Sequence, residues 1–412
     1  MPKENIKMQV DIDTLKKQNV NDLLSIKELY SKLEELQEKT TQIKYIDNAL
    51  VKKLKKEYNN LKKIILDENI QVKLSNDIKT INSQKETKAN IFNNLDELKK
   101  SELLKDGDSV LTLGYYKLND GGNASYKIRL KTDNDVIDNC FLYELKNNLV
   151  AEIIINNCEL NIKQFGCLGD GKFDNTTILQ NIFDKADTNF VVYVPIGVYL
   201  ISKGLVVKSK ITIKGESKHI YDYHANNIDG KYGLSTFKVK SDVSDITLIS
   251  PIEDDIRFTI SNMSFYSDSF KLIHNNTTNI GLKYIPNVKT KNVNAIKFGL
   301  NAHFSRCENV FVWGFSGTGI TFGGDSLNDN IVIQHCGLGF NSPTDTSITN
   351  IRSQFCENGA KITGTTMNNV RIEEISKFGL ILGQQNSFVN NTIIDQCGYA
   401  GVTFHDGLVY GG

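Results

Sequence analysis

Apolar positions in the first hundred residues recur at steps of three and four. Ile26, Leu29, Leu33 and Leu36 form one run; Ile43, Ile46, Leu50, Leu54, Tyr58, Leu61 and Ile65 form the next. Leu74, Ile78 and Ile81 follow, then Phe92, Leu95 and Leu98, with Lys and Glu between them. This spacing predicts α-helix over residues 1–106. The apolar stripe is too narrow to build a core within one chain, so it predicts an α-helical coiled coil that associates with copies of itself. Mixed Ile and Leu at the core positions are compatible with three strands, and the steps of four from Leu50 to Tyr58 read as a stutter. A solvated helical hairpin folding on itself is the alternative.

The pattern changes at Gly107, the first glycine of the chain. Val110-Leu111-Thr112-Leu113, the turn Asn119-Asp120-Gly121-Gly122 and Ala124-Ser125-Tyr126-Lys127-Ile128 read as strand, tight turn, strand. Residues 107–158 are therefore expected to be a small β-rich connector.

Farther on the chain repeats. Glycines stand at 319, 339, 359, 379 and 401, and asparagines at 309, 330, 350, 369 and 391. Six or seven residues after each Asn comes a small residue: Ser316, Cys336, Cys356, Ser376 or Cys397. A period of 20–22 residues without helical patterning predicts stacked β coils, a solenoid whose strands pair about 4.8 Å apart. Asn tolerates the left-handed conformation, so its column is expected at a sharp turn with stacked amides. The Cys/Ser column is expected in the core. Alternation after each Asn sends the first and third residues inward and the second and fourth outward.

Composition narrows the picture. Lys+Arg and Asp+Glu both number 48, so the net charge is zero. That argues against nucleic acid or an anionic membrane as the main partner. No apolar run is long enough to span a bilayer, and the polar start gives no signal peptide. Seven cysteines without a CxxC pair argue against a disulfide framework or a zinc ribbon.

Residues 161–216 carry the most specific motifs. Phe165-Gly166-Cys167-Leu168-Gly169-Asp170-Gly171 leads to Asp174, Thr176 and Gln180; Tyr193-Val194-Pro195-Ile196-Gly197-Val198-Tyr199-Leu200-Ile201 follows, then Lys214-Gly215-Glu216. This resembles the opening of the pectate-lyase-like right-handed β-helix proteins, FGAxGDGxxDxTxxxQ, YxPxGxYxI and a strand ending in KGE, with Cys167 in place of Ala. Leu113-Gly114-Tyr115-Tyr116 through Tyr126 resembles the LGYYxxGDGGGAxY piece of tailspike and appendage proteins of phages that infect Gram-positive bacteria. The resemblance implies an all-β right-handed parallel β-helix over 159–412 behind an N-terminal coiled coil. It also implies a homotrimer, attached to other virion tail proteins, that binds host cell-surface glycan (teichoic acid, capsule or exopolysaccharide), with cleavage of that glycan left open. A secreted polysaccharide lyase or glycoside hydrolase and a purely structural virion fibre are the other readings.

The Gly-Asp-Gly motif supplies no chemistry by itself; Asp170 and Asp174 suit the N-terminus of the next helix. Candidate chemistry lies on the outward columns. Glu373 and Asp395 stand at equivalent positions of successive coils, about 5 Å apart, and suit an acid and nucleophile pair. Arg352 and Arg371 suit an anionic sugar or phosphate. Trp313, the only Trp, suits a sugar platform, and Gln334 and Gln354 share its column. His405-Asp406 is a further acid/base candidate. No cofactor is expected: eliminative cleavage would use Ca²⁺, and no calcium-loop spacing is present. The chain closes on Gly411-Gly412 just after a coil, without a recognisable cap.

Overall fold

The computed structural model describes residues 90–217, 234–274 and 284–404, together with Lys56. The heptad region up to residue 89, its expected trimer, and His405-Asp406 lie outside the described residues.

The described residues from 159 to 404 form a right-handed parallel β-helix. Each late coil contributes one long strand and one short strand. The long strands Arg306–Trp313, Leu327–Gln334, Thr346–Gln354, Thr365–Ile375 and Phe388–Cys397 pair in parallel within a twelve-stranded sheet. The short strands Thr318–Thr321, Leu338–Ser342, Asn358–Ile362, Phe378–Leu382 and Ala400–Phe404 are five strands of a separate eight-stranded sheet.

The repeat columns have the expected physical causes. Asn309, Asn330, Asn350, Asn369 and Asn391 all have positive φ, as does Asn262 one coil earlier. Each bends its long strand into two faces. Their amides form a ladder: Asn309 donates to Asn262 at 3.0 Å, Asn330 to Asn309 at 2.7 Å and Asn369 to Asn350 at 2.6 Å. Asn350 departs from the ladder and donates to Asp329 at 2.7 Å. Residues one and three after each Asn are buried in the first four coils, from Val310 and Val312 to Val370 and Ile372. Cys336 and Cys356 are fully buried beside them. The glycine column keeps coils close: a Cβ on Gly359 would stand 2.4 Å from the Gly379 carbonyl oxygen and 2.3 Å from an Ile372 methyl.

The expected domain boundary at 106 needs correction. Asn90–Phe92 pairs in parallel with Ser109–Thr112, inside a five-stranded sheet completed by Ala124–Leu130, Leu149–Ile153 and Leu142–Glu144. Helix α1 (Leu95–Lys100) is only six residues long; Asn94 caps it at the Glu97 N–H, and the Glu97 carboxylate returns to the Asn93 N–H. Leu95, Leu98 and Leu104 are buried with the connector. Local helical spacing extended the heptad reading past the point where the apolar residues find a core of their own.

The two motif regions touch. Asp120 accepts backbone N–H groups of Tyr115, Tyr116, Lys117 and Gly122, which fixes the loop. The Tyr116 hydroxyl donates to the Gly166 carbonyl at 2.7 Å, and a side chain at Gly166 would strike the Tyr115 ring. Gly166 also has φ 95°, so two constraints demand glycine there. Helix α2 (Thr176–Lys185) buries Leu179, Ile182 and Phe183 on the first coils. Gln180 exchanges two hydrogen bonds with the Val206 backbone, substituting for a neighbouring strand. Asp174, one residue before the cap position Asn175, accepts the Thr176 N–H at 3.0 Å, while Asn175 makes no side-chain cap bond of its own. Asp170 instead closes its own turn onto Lys172 and Phe173.

Candidate functional site

The Asn ladder is a ridge on the long sheet, and outward side chains lie on both sides of it. The structure treats the two sides differently.

On the C-terminal side a β-hairpin covers the outward side chains of the earlier coils, around Phe311 and Trp313, and leaves Arg371, Ile393 and Asp395 exposed. Its strands, Phe270–His274 and Tyr284–Val288, are antiparallel. Phe270 N–H donates to Gly314 O at 2.9 Å, Leu272 N–H to His335 Nδ1 at 3.2 Å, and Ser376 Oγ to Tyr284 O at 3.2 Å. The Tyr284 ring packs against Phe355, and its hydroxyl bonds the Glu374 carboxylate. The hairpin thus straps four successive coils at Gly314, His335, Phe355 and Glu374, all in left-handed conformation.

This strap changes the environment of the sequence candidates. Trp313 points out of the coil but is only 8 % exposed, so the expected open sugar platform is absent at this position. Its ring stacks on Tyr266 at 4.7 Å and meets His335 edge-on at 5.1 Å. Gln334 and Gln354 are buried and hydrogen-bonded to each other at 3.1 Å. Gln354 then donates to Glu373 at 2.8 Å, and Arg371 forms an ion pair with the other Glu373 oxygen. Glu373 and Asp395 are in register, as the repeat predicts, with Glu373 half-buried and Asp395 exposed. Arg352 and Arg371 are also in register. The outward direction was legible; the covering was not, because a hairpin inserted between coils leaves the repeat intact.

His335 feels the strap most. Burial, reinforced by the nearby Lys271 ammonium, pushes its imidazole down to about 4. Its Nδ1 accepts a hydrogen bond and its ring lies flat on Phe355, so the neutral form fits the site.

On the N-terminal side of the ridge the surface is open. A shallow groove of about 460 Å³ is lined by Arg306, Glu308, Leu327, Asp329, Ser347 and Thr349. Arg306, Glu308 and Asp329 are exposed. Glu308 and Asp329 are Cα partners on adjacent parallel strands, and Thr349 continues the column. Their carboxylates therefore leave the same face about 4.8 Å apart at the backbone. Glu308 and Arg306 have no ion pair among the described residues. The signal was present in the sequence one and three residues before the Asn column, but acids there occupy only two coils, so no repeat marks them.

Among the described residues no group of three or more His, Cys, Asp or Glu side chains is placed to hold a metal ion. No helix among them is long and apolar enough to cross a membrane.

Residues 160–361 match the family described as rhamnogalacturonase A/epimerase, pectate lyase-like. The structure is similar to the tailspike protein gp49 of Acinetobacter baumannii bacteriophage Fri1, a capsular polysaccharide depolymerase. The TM-score is 0.55 at 15 % identity, over 77 % of this chain and 60 % of that one. It is also similar to the enzymatically active domain of tailspike protein 2 of bacteriophage CBA120, with TM-score 0.46 and 12 % identity over 80 % and 58 % of the two chains. A stretch of 57 residues is 42 % identical to a probable glucan endo-1,3-beta-glucosidase of Arthroderma benhamiae, covering 14 % of this chain and 6 % of that protein. The chain thus spans less than two thirds of the length of each of these proteins.

Proposed function

From the premise that residues 160–361 form a pectate-lyase-like right-handed parallel β-helix, we propose that the chain is a tailspike-type virion protein that binds a host cell-surface glycan. The open groove along the long sheet supports this reading. It runs across several coils, as an extended polymer requires, and presents a guanidinium, two carboxylates and hydroxyls to sugar oxygens. In this reading the N-terminal helices hold three copies together and attach them to other tail proteins.

Cleavage is a second reading, with its own observation. Glu308 and Asp329 stand in register, and paired carboxyl groups about 5–5.5 Å apart suit a retaining glycoside hydrolase. One would protonate the leaving oxygen while the other attacks the anomeric carbon. Glu373 and Asp395 are the other in-register pair, but both Glu373 oxygens are already engaged, by Gln354 and Arg371. In the first pair only one Asp329 oxygen is engaged, by Asn350, so that pair is the stronger candidate.

The test is incubation with teichoic acid, capsule and exopolysaccharide fractions from candidate hosts, with released fragments read by mass spectrometry. Hydrolysis predicts fragments of defined repeat length, lost in Glu308→Gln and Asp329→Asn while binding persists. Release that survives both substitutions and vanishes in Glu373→Gln would move the chemistry to the strapped side. Binding without release would leave an adhesin, and no binding to any fraction would remove the glycan reading.

A further inference from the structure

The outward column two residues after the ladder asparagines is, in register, Phe311, Val332, Arg352, Arg371 and Ile393. Phe311 and Val332 belong to the aromatic cluster around Trp313. The two arginines come next and leave one face of the sheet with backbones about 4.8 Å apart. Like charges directly opposite on adjacent strands repel. Arg371 is compensated, since one of its nitrogens pairs with Glu373, and Gln354 fixes that carboxylate from the other side. Arg352 is half-buried and has neither an ion pair nor a side-chain hydrogen bond among the described residues. A partly desolvated guanidinium beside a second one, with a single carboxylate that pairs with Arg371, leaves one positive charge unanswered on this face. Carboxylates, phosphates and sulfates are the groups whose geometry a guanidinium fork matches. Ile393, half-exposed at the end of the column, gives an apolar surface for the carbon face of a sugar ring.

We propose that Arg352 and Arg371 form an oxyanion site, so that the glycan bound by this protein carries carboxylate, phosphate or sulfate groups. Glu373 is a positioning residue in this arrangement: it holds the Arg371 fork rather than acting on the sugar. This rests on the glycan reading above and deepens it. Arg352 lies three residues beyond Thr349 on one strand that bends at Asn350, so the backbones of the oxyanion site and the groove are at most about 10 Å apart. One polymer can occupy both across the Asn ridge.

The experiment compares affinity for three dextrans of equal length, unmodified, carboxymethylated and sulfated, at low and raised salt. The wild-type chain is expected to bind a charged dextran about tenfold or more tighter than the neutral one, the scale of one charge-assisted hydrogen bond. Arg352→Gln erases that difference and Arg352→Lys keeps part of it. Glu373→Gln weakens the charged polymers without changing the neutral one. Lys208→Gln removes an equal charge elsewhere and changes nothing. A preference for the carboxymethylated or the sulfated polymer identifies which oxyanion the site fits. Equal or absent retention of the charged dextrans, or an Arg352→Gln variant as tight as wild type, overturns the oxyanion site. If host glycan is still bound in those cases, the glycan reading stands; if the wild-type chain binds no host glycan, it is the glycan reading that fails.

Discussion

Asn369 carries two duties at once: a left-handed backbone and a 2.6 Å amide bond to Asn350. Replacing it by Ala removes the bond and leaves a Cβ in the left-handed conformation without the local polar contacts that let Asn adopt it, a conformation that costs other L residues about 1–2 kcal/mol. Asn369→Gly removes the amide's ladder bonds, to Asn350 and from Asn391, and meets no strain in the left-handed conformation. Thermal unfolding should therefore show a larger loss for Ala than for Gly; equal losses would show that the backbone conformation costs nothing here. Gly359→Ala should cost about 3 kcal/mol, because the new methyl meets backbone oxygen and a packed Ile372 methyl, neither able to retreat. At this scale the sequence was readable. Asn and Gly recur because each coil sets the same conformational and steric demand, and a demand repeated every coil becomes a visible column. Glu308 and Asp329 were harder to see, since a surface carboxylate obeys no such demand.

One of the strap's four holds is a neutral imidazole. With the strap in place His335 takes a proton only near pH 4, against 6.5 for an unperturbed histidine. The open form therefore binds more protons between those values, so the closed form has its full stability above pH 6.5. It loses stability as pH falls towards 4, by up to about 3 kcal/mol. Trp313, the chain's only tryptophan, reports the event from beneath the hairpin. Its emission should shift to the red between pH 6.5 and 4, and His335→Gln, which keeps an acceptor without titrating, should flatten the response. Emission unchanged over that range would show that His335 does not hold the strap. The strap was invisible beforehand for a topological reason. Its residues read as ordinary strands, and its partners at Gly314, His335, Phe355 and Glu374 lie far away in sequence. Alternation gave the direction of Trp313 and Gln334 correctly but says nothing of what lies above them.

At the scale of the whole molecule, the β-helix followed from the period and the motif at residues 165–216, both of which are local. The connector boundary did not, because membership of a core is a tertiary property: Leu95 and Leu98 fit a heptad in sequence and a β-rich core in space. Function follows from what the rod leaves open. One side of the Asn ridge is strapped, and the other presents a groove across successive coils. In the proposed reading the polymer lies on the N-terminal halves of the long strands and reaches Arg352 and Arg371 just over the ridge.

Hydrogen exchange of the full chain, with and without a glycan fraction that binds it, tests this placement most directly. Protection is expected along Arg306–Trp313, Leu327–Gln334 and Thr346–Gln354, strongest before each ladder asparagine and extending to Arg371. Protection confined to the eight-stranded sheet of short strands, or to the connector, would contradict it.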